Sequence, residues 1–137
     1  MENKKILIVE DDNFLANAYR VKFAKAGFDV HIARDGKDTL DSLNTFLPNL
    51  IILDLIMPVM DGYLVLEEIK KNELWKNIPI IVASNLGQKE DAERAMKLGA
   101  NDFIVKSDLH LEDLIVKINK LLEQPQINSS TSKSSVL

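Results

Sequence analysis

The sequence predicts an α/β fold in which helices wind over both faces of one parallel β-sheet. Two observations carry this. Five short runs rich in β-branched residues alternate with five stretches whose apolar residues return every three or four positions. The short runs are apolar at consecutive rather than alternate positions, the pattern of strands covered on both faces. Such strands need helices above and below them, and right-handed crossovers leave few ways to connect the pieces.

The first strand is Lys5–Val9, Lys-Ile-Leu-Ile-Val, and Glu10, Asp11 and Asp12 follow it at once. From Asn13 onward Leu15, Ala18, Tyr19, Lys22, Phe23 and Ala26 recur at helical spacing, and Gly27 supplies the stop. Residues 28–33 form the second strand. A second helix is expected over residues 36–46, with Leu40, Leu43 and Leu47 on one face and Pro48 ending it. Leu50–Leu53 is a third buried strand that runs into Asp54. A loop carrying Pro58, Met60, Asp61 and Gly62 leads to a helix over residues 64–71, with Asp61 and Gly62 as its turn and cap. Pro79 opens the fourth strand, Ile80-Ile81-Val82-Ala83. Residues 89–98 are helical and end at Gly99. Asp102–Val105 is the fifth strand, followed by Lys106. Residues 111–122 form the last helix, with Leu114, Ile115, Ile118, Leu121 and Leu122 apolar. From residue 124 serine dominates, which sets a domain of residues 1–123 apart from a disordered tail or linker of residues 124–137.

Composition narrows the chemistry. The chain has 137 residues, room for one ordinary domain. It has no cysteine, which removes disulfides, thiolate nucleophiles and cysteine zinc sites. No apolar run approaches the roughly 20 residues that span a bilayer, and none has the form of a secretory signal, so a cytoplasmic protein without membrane insertion is expected. The net charge is −4 and the basic residues are scattered, so no direct nucleic-acid contact is expected.

In open α/β sheets, ligands bind beyond the carboxyl ends of the strands. Glu10, Asp11 and Asp12 stand after the first strand, Asp54 after the third, Ser84 and Asn85 after the fourth, and Lys106 after the fifth. Carboxylates gathered at one edge repel one another and call for a cation. Oxygen ligands favour a hard one, and neither His31 nor His110 falls in the pattern. Mg²⁺ takes one or two carboxylates and completes its shell with water and phosphate. Carboxylates, a hydroxyl and an ammonium around such an ion suggest phosphoryl transfer, with a carboxylate able to serve as nucleophile.

Four blocks in order carry a resemblance. They are Ile6-Leu7-Ile8-Val9-Glu10-Asp11-Asp12; Leu53-Asp54-Leu55-Ile56-Met57-Pro58-Val59-Met60-Asp61-Gly62; Pro79-Ile80-Ile81-Val82-Ala83-Ser84; and Gly99-Ala100-Asn101-Asp102-Phe103-Ile104-Val105-Lys106. Over nearly the whole chain the sequence resembles the receiver domains of two-component response regulators, the CheY-like superfamily. The resemblance implies the (βα)5 flavodoxin-like arrangement with strand order 2-1-3-4-5. It implies that Asp54 accepts a phosphoryl group from a phosphohistidine of a sensor kinase or phosphotransfer protein. Glu10, Asp11, Asp54 and the backbone carbonyl of Ile56 would hold Mg²⁺, or Mn²⁺ in its place. Ser84 would donate to the phosphoryl group and Lys106 would pair with it, or with Asp54 at rest. Ser84 and Phe103 would switch on activation. An unknown output protein would dock on the face made by the fourth helix, fifth strand and fifth helix. The domain would be a monomer or a phosphorylation-dependent dimer, standing alone and catalysing only its own phosphorylation and dephosphorylation.

Two positions depart from the family pattern. Ser107 follows Lys106 where most members have proline in a typically cis bond; a cis bond before serine costs roughly 3 kcal/mol, and the sequence leaves this peptide's geometry open. Ile56, two positions after the acceptor, offers no polar group to an attacking water, so slow self-dephosphorylation is expected. Other classes fit less well. A haloacid-dehalogenase-like phosphatase needs a second aspartate where Ile56 stands. A flavin binder needs a Ser/Thr/Gly-rich loop where Glu10-Asp11-Asp12 stands, and no G-x-G-x-x-G follows the first strand. A degenerate receiver usually lacks the acceptor or the lysine, and both are present. Alone, Asp12 reads as a helix cap, Phe103 as core, the two histidines as surface or cap residues, and Trp75 as packing or surface.

Overall fold

The computed structural model describes residues 3–57 and 60–123. Pro58 and Val59 of the expected loop, and the Ser-rich segment 124–137 expected to be a disordered tail or linker, lie outside the described residues. The strands are β1 (Lys5–Val9), β2 (Asp29–Ala33), β3 (Leu50–Leu53), β4 (Ile80–Ser84) and β5 (Asp102–Val105); the helices are α1 (Asn13–Lys25), α2 (Gly36–Leu43), α3 (Gly62–Lys71), α4 (Lys89–Lys97) and α5 (Leu111–Glu123). All neighbouring strands are parallel, in the order β2-β1-β3-β4-β5 that the resemblance implies.

The consecutive apolar residues of each strand explain the two-sided core. Leu7, Val9, Ile51, Leu53, Ile80 and Val82 point to one face, where they meet Leu43 of α2, Val65, Leu66 and Ile69 of α3, and Ala95 of α4. Their alternates Ile6, Ile8, Leu50, Ile52, Ile81 and Ala83 point to the other, where they meet Tyr19 and Phe23 of α1 and Leu114 and Ile118 of α5. Each large side chain so enclosed contributes roughly 1.5–3 kcal/mol relative to exposure. Trp75 is buried in the first of these clusters, as packing.

Three expected details differ. The second helix ends at Leu43, with Asn44 as its C-cap, so Leu47 lies beyond it and is exposed. The apolar spacing runs through a turn that packs Phe46 instead, its ring stacked on His31 at 5.1 Å. On α1 the buried residues are Ala16, Tyr19 and Phe23, while Ala26 is the exposed C-cap. The third helix begins two residues early, because the Asp61 carboxylate accepts from the Tyr63 N–H at 2.7 Å and starts the turn at Gly62. Gly27 does close α1, at φ +95°, a conformation that favours glycine. No described peptide bond is cis, so Lys106–Ser107 is trans, and a 3₁₀ turn over Lys106–Asp108 leads into α5.

Candidate functional site

Strand ends and helix starts converge at the carboxyl edge of the sheet. Leu53 is level with Val9 of β1 and Val82 of β4, so Asp54 is the first residue past the sheet at its centre. Its N–H still donates to the Val9 carbonyl at 3.2 Å, which fixes the backbone there. On the other side of β1, the Glu10 N–H donates to the Ala33 carbonyl at 2.9 Å. By strand alternation Glu10 continues the Ile6–Ile8 row, Asp54 the Leu50–Ile52 row and Lys106 the row of Ile104, all on the α1/α5 side of the sheet.

There the Lys106 ammonium bridges the two buried carboxylates, 2.7 Å from Glu10 Oε1 and 3.0 Å from Asp54 Oδ2. Glu10 is 1% exposed and Asp54 5%. Their other oxygens accept from backbone: Glu10 Oε2 from the Asp12 N–H at 3.2 Å, Asp54 Oδ1 from the Ile56 N–H at 3.2 Å. Asp11 is exposed beside them. One carboxylate oxygen from each of Glu10, Asp11 and Asp54 lies within 4.8 Å of the others. Asp12 turns away to cap α1, accepting from Phe14 and Leu15 N–H groups at 2.9 and 3.2 Å, as expected of it.

The electrostatics are those of an undercompensated acidic site. Burial pushes the Glu10 and Asp54 carboxyls above the usual range, and hydrogen bonds from Lys106 only partly offset it. Burial works to lower the Lys106 ammonium but is outweighed by its bonds to Glu10 and Asp54, so its pKa is raised. One ammonium thus bridges two carboxylates of a cluster of three. A hard dication fits this donor set: oxygen ligands from two strand ends, one solvent-facing, with excess negative charge and no sulfur.

Glu10, Asp11, Asp12, Asp54, Ile56, Asn85 and Lys106 line an open cleft of about 290 Å³. Ile56 presents its side chain to solvent, 56% exposed. Ser84 is fully buried at the end of β4, its Oγ accepting from the Leu86 N–H at 3.1 Å, and Asn85 rather than Ser84 reaches the cleft. Phe103 is half-buried on β5 against the α2–α4 side of the core, off the cleft. Gly62 is one residue the spacing alone did not single out for the site. A Cβ there would lie 2.4 Å from Leu55 Cα and 2.6 Å from the Asp54 carbonyl oxygen, so only glycine lets α3 start against the acidic loop.

Residues 6–119 match the family model of the response regulator receiver domain. The chain is similar to the probable transcriptional regulator ycf27 of Porphyridium aerugineum, 32% identical over 100% of this chain and 57% of that protein. It is similar to the DNA-binding dual master transcriptional regulator RpaA of a Synechocystis strain, 30% identical over 88% of this chain and 49% of that one. The chain spans about half the length of the curated relatives it matches. Among solved structures it is similar to the Francisella response regulator 1452 receiver domain, with a TM-score of 0.82, 32% identity, and coverage of 88% of this chain and 98% of that one.

Proposed function

Because this chain belongs to the response regulator receiver family, we propose that it is a metal-dependent phosphoacceptor switch in which Asp54 takes the phosphoryl group. The observation that carries the assignment is the Lys106 bridge between Glu10 and Asp54, with the exposed Asp11 completing a three-carboxylate cluster.

The acceptor oxygen of Asp54 attacks the phosphorus of a phosphohistidine on a sensor kinase or phosphotransfer protein. An O–P bond forms, the N–P bond breaks, and the imidazole leaves with the bonding pair and takes up a proton. Glu10, Asp11, Asp54 and the Ile56 carbonyl would hold Mg²⁺, or Mn²⁺ in its place. When bound, the ion offsets carboxylate charge and withdraws charge from the phosphoryl oxygens. Lys106 shifts its ammonium onto the phosphoryl oxygens, and the Ile56 N–H stays on Asp54. Ser84 gives up its turn to Leu86 to donate to the new group, and Phe103 repacks with it.

The readout is the face of α4, β5 and α5. Tyr63 ties α4 to the acceptor loop: Arg94 stacks on its ring at 3.8 Å, and its hydroxyl donates to the Asp91 carbonyl at 3.3 Å. A change in the Asp54–Gly62 loop therefore reaches α4 through α3. The donor protein meets the cleft rim, where Ile56 is exposed, and Phe14, two residues after Asp12, is exposed as well. No helix among the described residues is long and apolar enough to cross a membrane.

The test is intact mass after incubation with acetyl phosphate, with and without Mg²⁺, beside Asp54→Asn. One added phosphoryl group that requires both the metal and Asp54 is expected. No adduct on folded protein, or one that survives in Asp54→Asn, overturns the assignment.

A further inference from the structure

Tyr19 carries the buried side-chain polar atom that, among the described residues, lacks any hydrogen-bond partner: its hydroxyl. The residue is 1% exposed, in the middle of α1. A buried donor without a partner is costly, and native proteins keep few of them.

Its direction follows from helix geometry. Side chains on a helix lean toward its N-terminus. The N-terminus of α1 lies at the carboxyl edge of the sheet, directly after Glu10-Asp11-Asp12. Tyr19 packs in the same layer as Ile8 and Ile52, whose next neighbours on that face are Glu10 and Asp54. The Phe23 ring lies below it, 5.6 Å between centroids. The ring therefore fills the space beneath the two carboxylates, with its hydroxyl toward them. Burial first, and then the charges of Glu10 and Asp54, push the phenol above its ordinary range, so both carboxylates act on it.

At rest neither carboxylate needs it. All four oxygens of Glu10 and Asp54 already accept, from Lys106 and from the N–H groups of Asp12 and Ile56. That changes if Lys106 moves. Even with a cation shared among the three carboxylates, the buried Glu10 Oε1 that Lys106 vacates would be left without a hydrogen-bond donor, and only Oε2 keeps its Asp12 N–H.

We infer that Tyr19 is a positioning residue for the phosphorylated state: its hydroxyl becomes the donor to Glu10 when Lys106 is drawn onto the phosphoryl group. This rests on the roles assigned above to Asp54 and Lys106. A leucine or phenylalanine at position 19 would fill the same space without supplying a donor.

Tyr19→Phe removes one oxygen and keeps the packing. Its affinity for beryllofluoride, a mimic of the phosphoryl group, is measured by calorimetry in saturating Mg²⁺, and its melting temperature is measured without metal. Binding about tenfold weaker than wild type is expected, the effect of one lost hydrogen bond to a charge. The metal-free melting temperature is expected to stay level or rise, because the hydroxyl is unpaired in that state. Unchanged affinity overturns the inference, and so does a metal-free stability loss that accounts for the weaker binding. A second readout needs no loss of stability. The chain has two tyrosines, so Tyr63→Phe identifies the ¹³Cζ resonance of Tyr19. That resonance is expected to move on adding beryllofluoride, and a stationary one overturns the inference. Wild-type protein that takes no phosphoryl group from acetyl phosphate would refute the phosphoacceptor assignment, and this inference with it.

Discussion

Lys106→Met keeps most of the side-chain stem and removes the ammonium. Glu10 and Asp54 then face each other, buried, with no cation between them. Breaking a buried ion pair from one side costs about 3–5 kcal/mol. Here protonation limits the loss, because burial already holds both carboxyls above their usual range. A carboxyl that stays protonated in the folded state recovers about 1.4 kcal/mol for each unit by which its pKa exceeds the pH. The sign follows from linkage. Both groups bind protons more tightly folded than unfolded, so the variant gains stability as pH falls from 7 toward 5 and loses it as pH rises. In the wild type Lys106 has a raised pKa, and the stability it contributes is present below its unfolded value and lost as pH climbs through the folded one. In EDTA at pH 7, urea unfolding should show a deficit of about 3 kcal/mol, or about 10 °C in melting temperature for a domain of this size. At pH 5 the deficit should shrink to about half or less. Adding Asp54→Asn should restore about 1–2 kcal/mol at pH 7, since one of the two facing charges is gone. A deficit under about 1 kcal/mol at pH 7, or one that does not move with pH, would refute Lys106 as the counter-ion of the pair.

Gly62→Ala should destabilise the domain by about 1–3 kcal/mol, because its Cβ meets the backbone of Leu55 and Asp54 rather than a flexible side chain; thermal or urea melts showing no loss would refute the close approach. Ile56→Asn should speed loss of phosphate from the phosphorylated protein, by about tenfold if the amide orients the attacking water, followed by timed intact-mass spectra; an unchanged half-life would end the argument from position 56.

The fold was legible because each strand is apolar at consecutive positions, which requires two covered faces, and because Gly27 and Gly99 mark helix ends. The end of α2 was not: apolar spacing continues through Leu47, and only the turn at Asn44, which swings Phe46 onto His31, shows where the helix stops. In the site, Glu10, Asp11, Asp54 and Lys106 could be gathered from sequence because each stands at a strand's end. Their order of contact could not. That Lys106 sits closer to Glu10 than to Asp54 depends on strand alternation and side-chain reach across β4. Ser84 ends β4 as its place in the sequence suggests, but that its hydroxyl is buried against the Leu86 N–H while Asn85 faces the cleft could not be read from spacing. Tyr19 was counted among apolar residues on a helical face, and spacing alone cannot tell a ring that only packs from one whose hydroxyl is left without a partner.

The bridging ammonium comes from the end of β5, the last strand to be laid down and an edge strand of the sheet, 52 residues along the chain from Asp54. Until β5 is in place, Glu10 and Asp54 lack the cation that bridges them. Contacts this distant in sequence form late, after the entropy of closing the intervening loops has been overcome. On the role proposed for Lys106, the site is complete only once β5 has paired with β4. If Lys106 acts as proposed, fraying of β5 at the open edge would carry its ammonium away from Glu10 and Asp54 and so weaken the switch before the core melts.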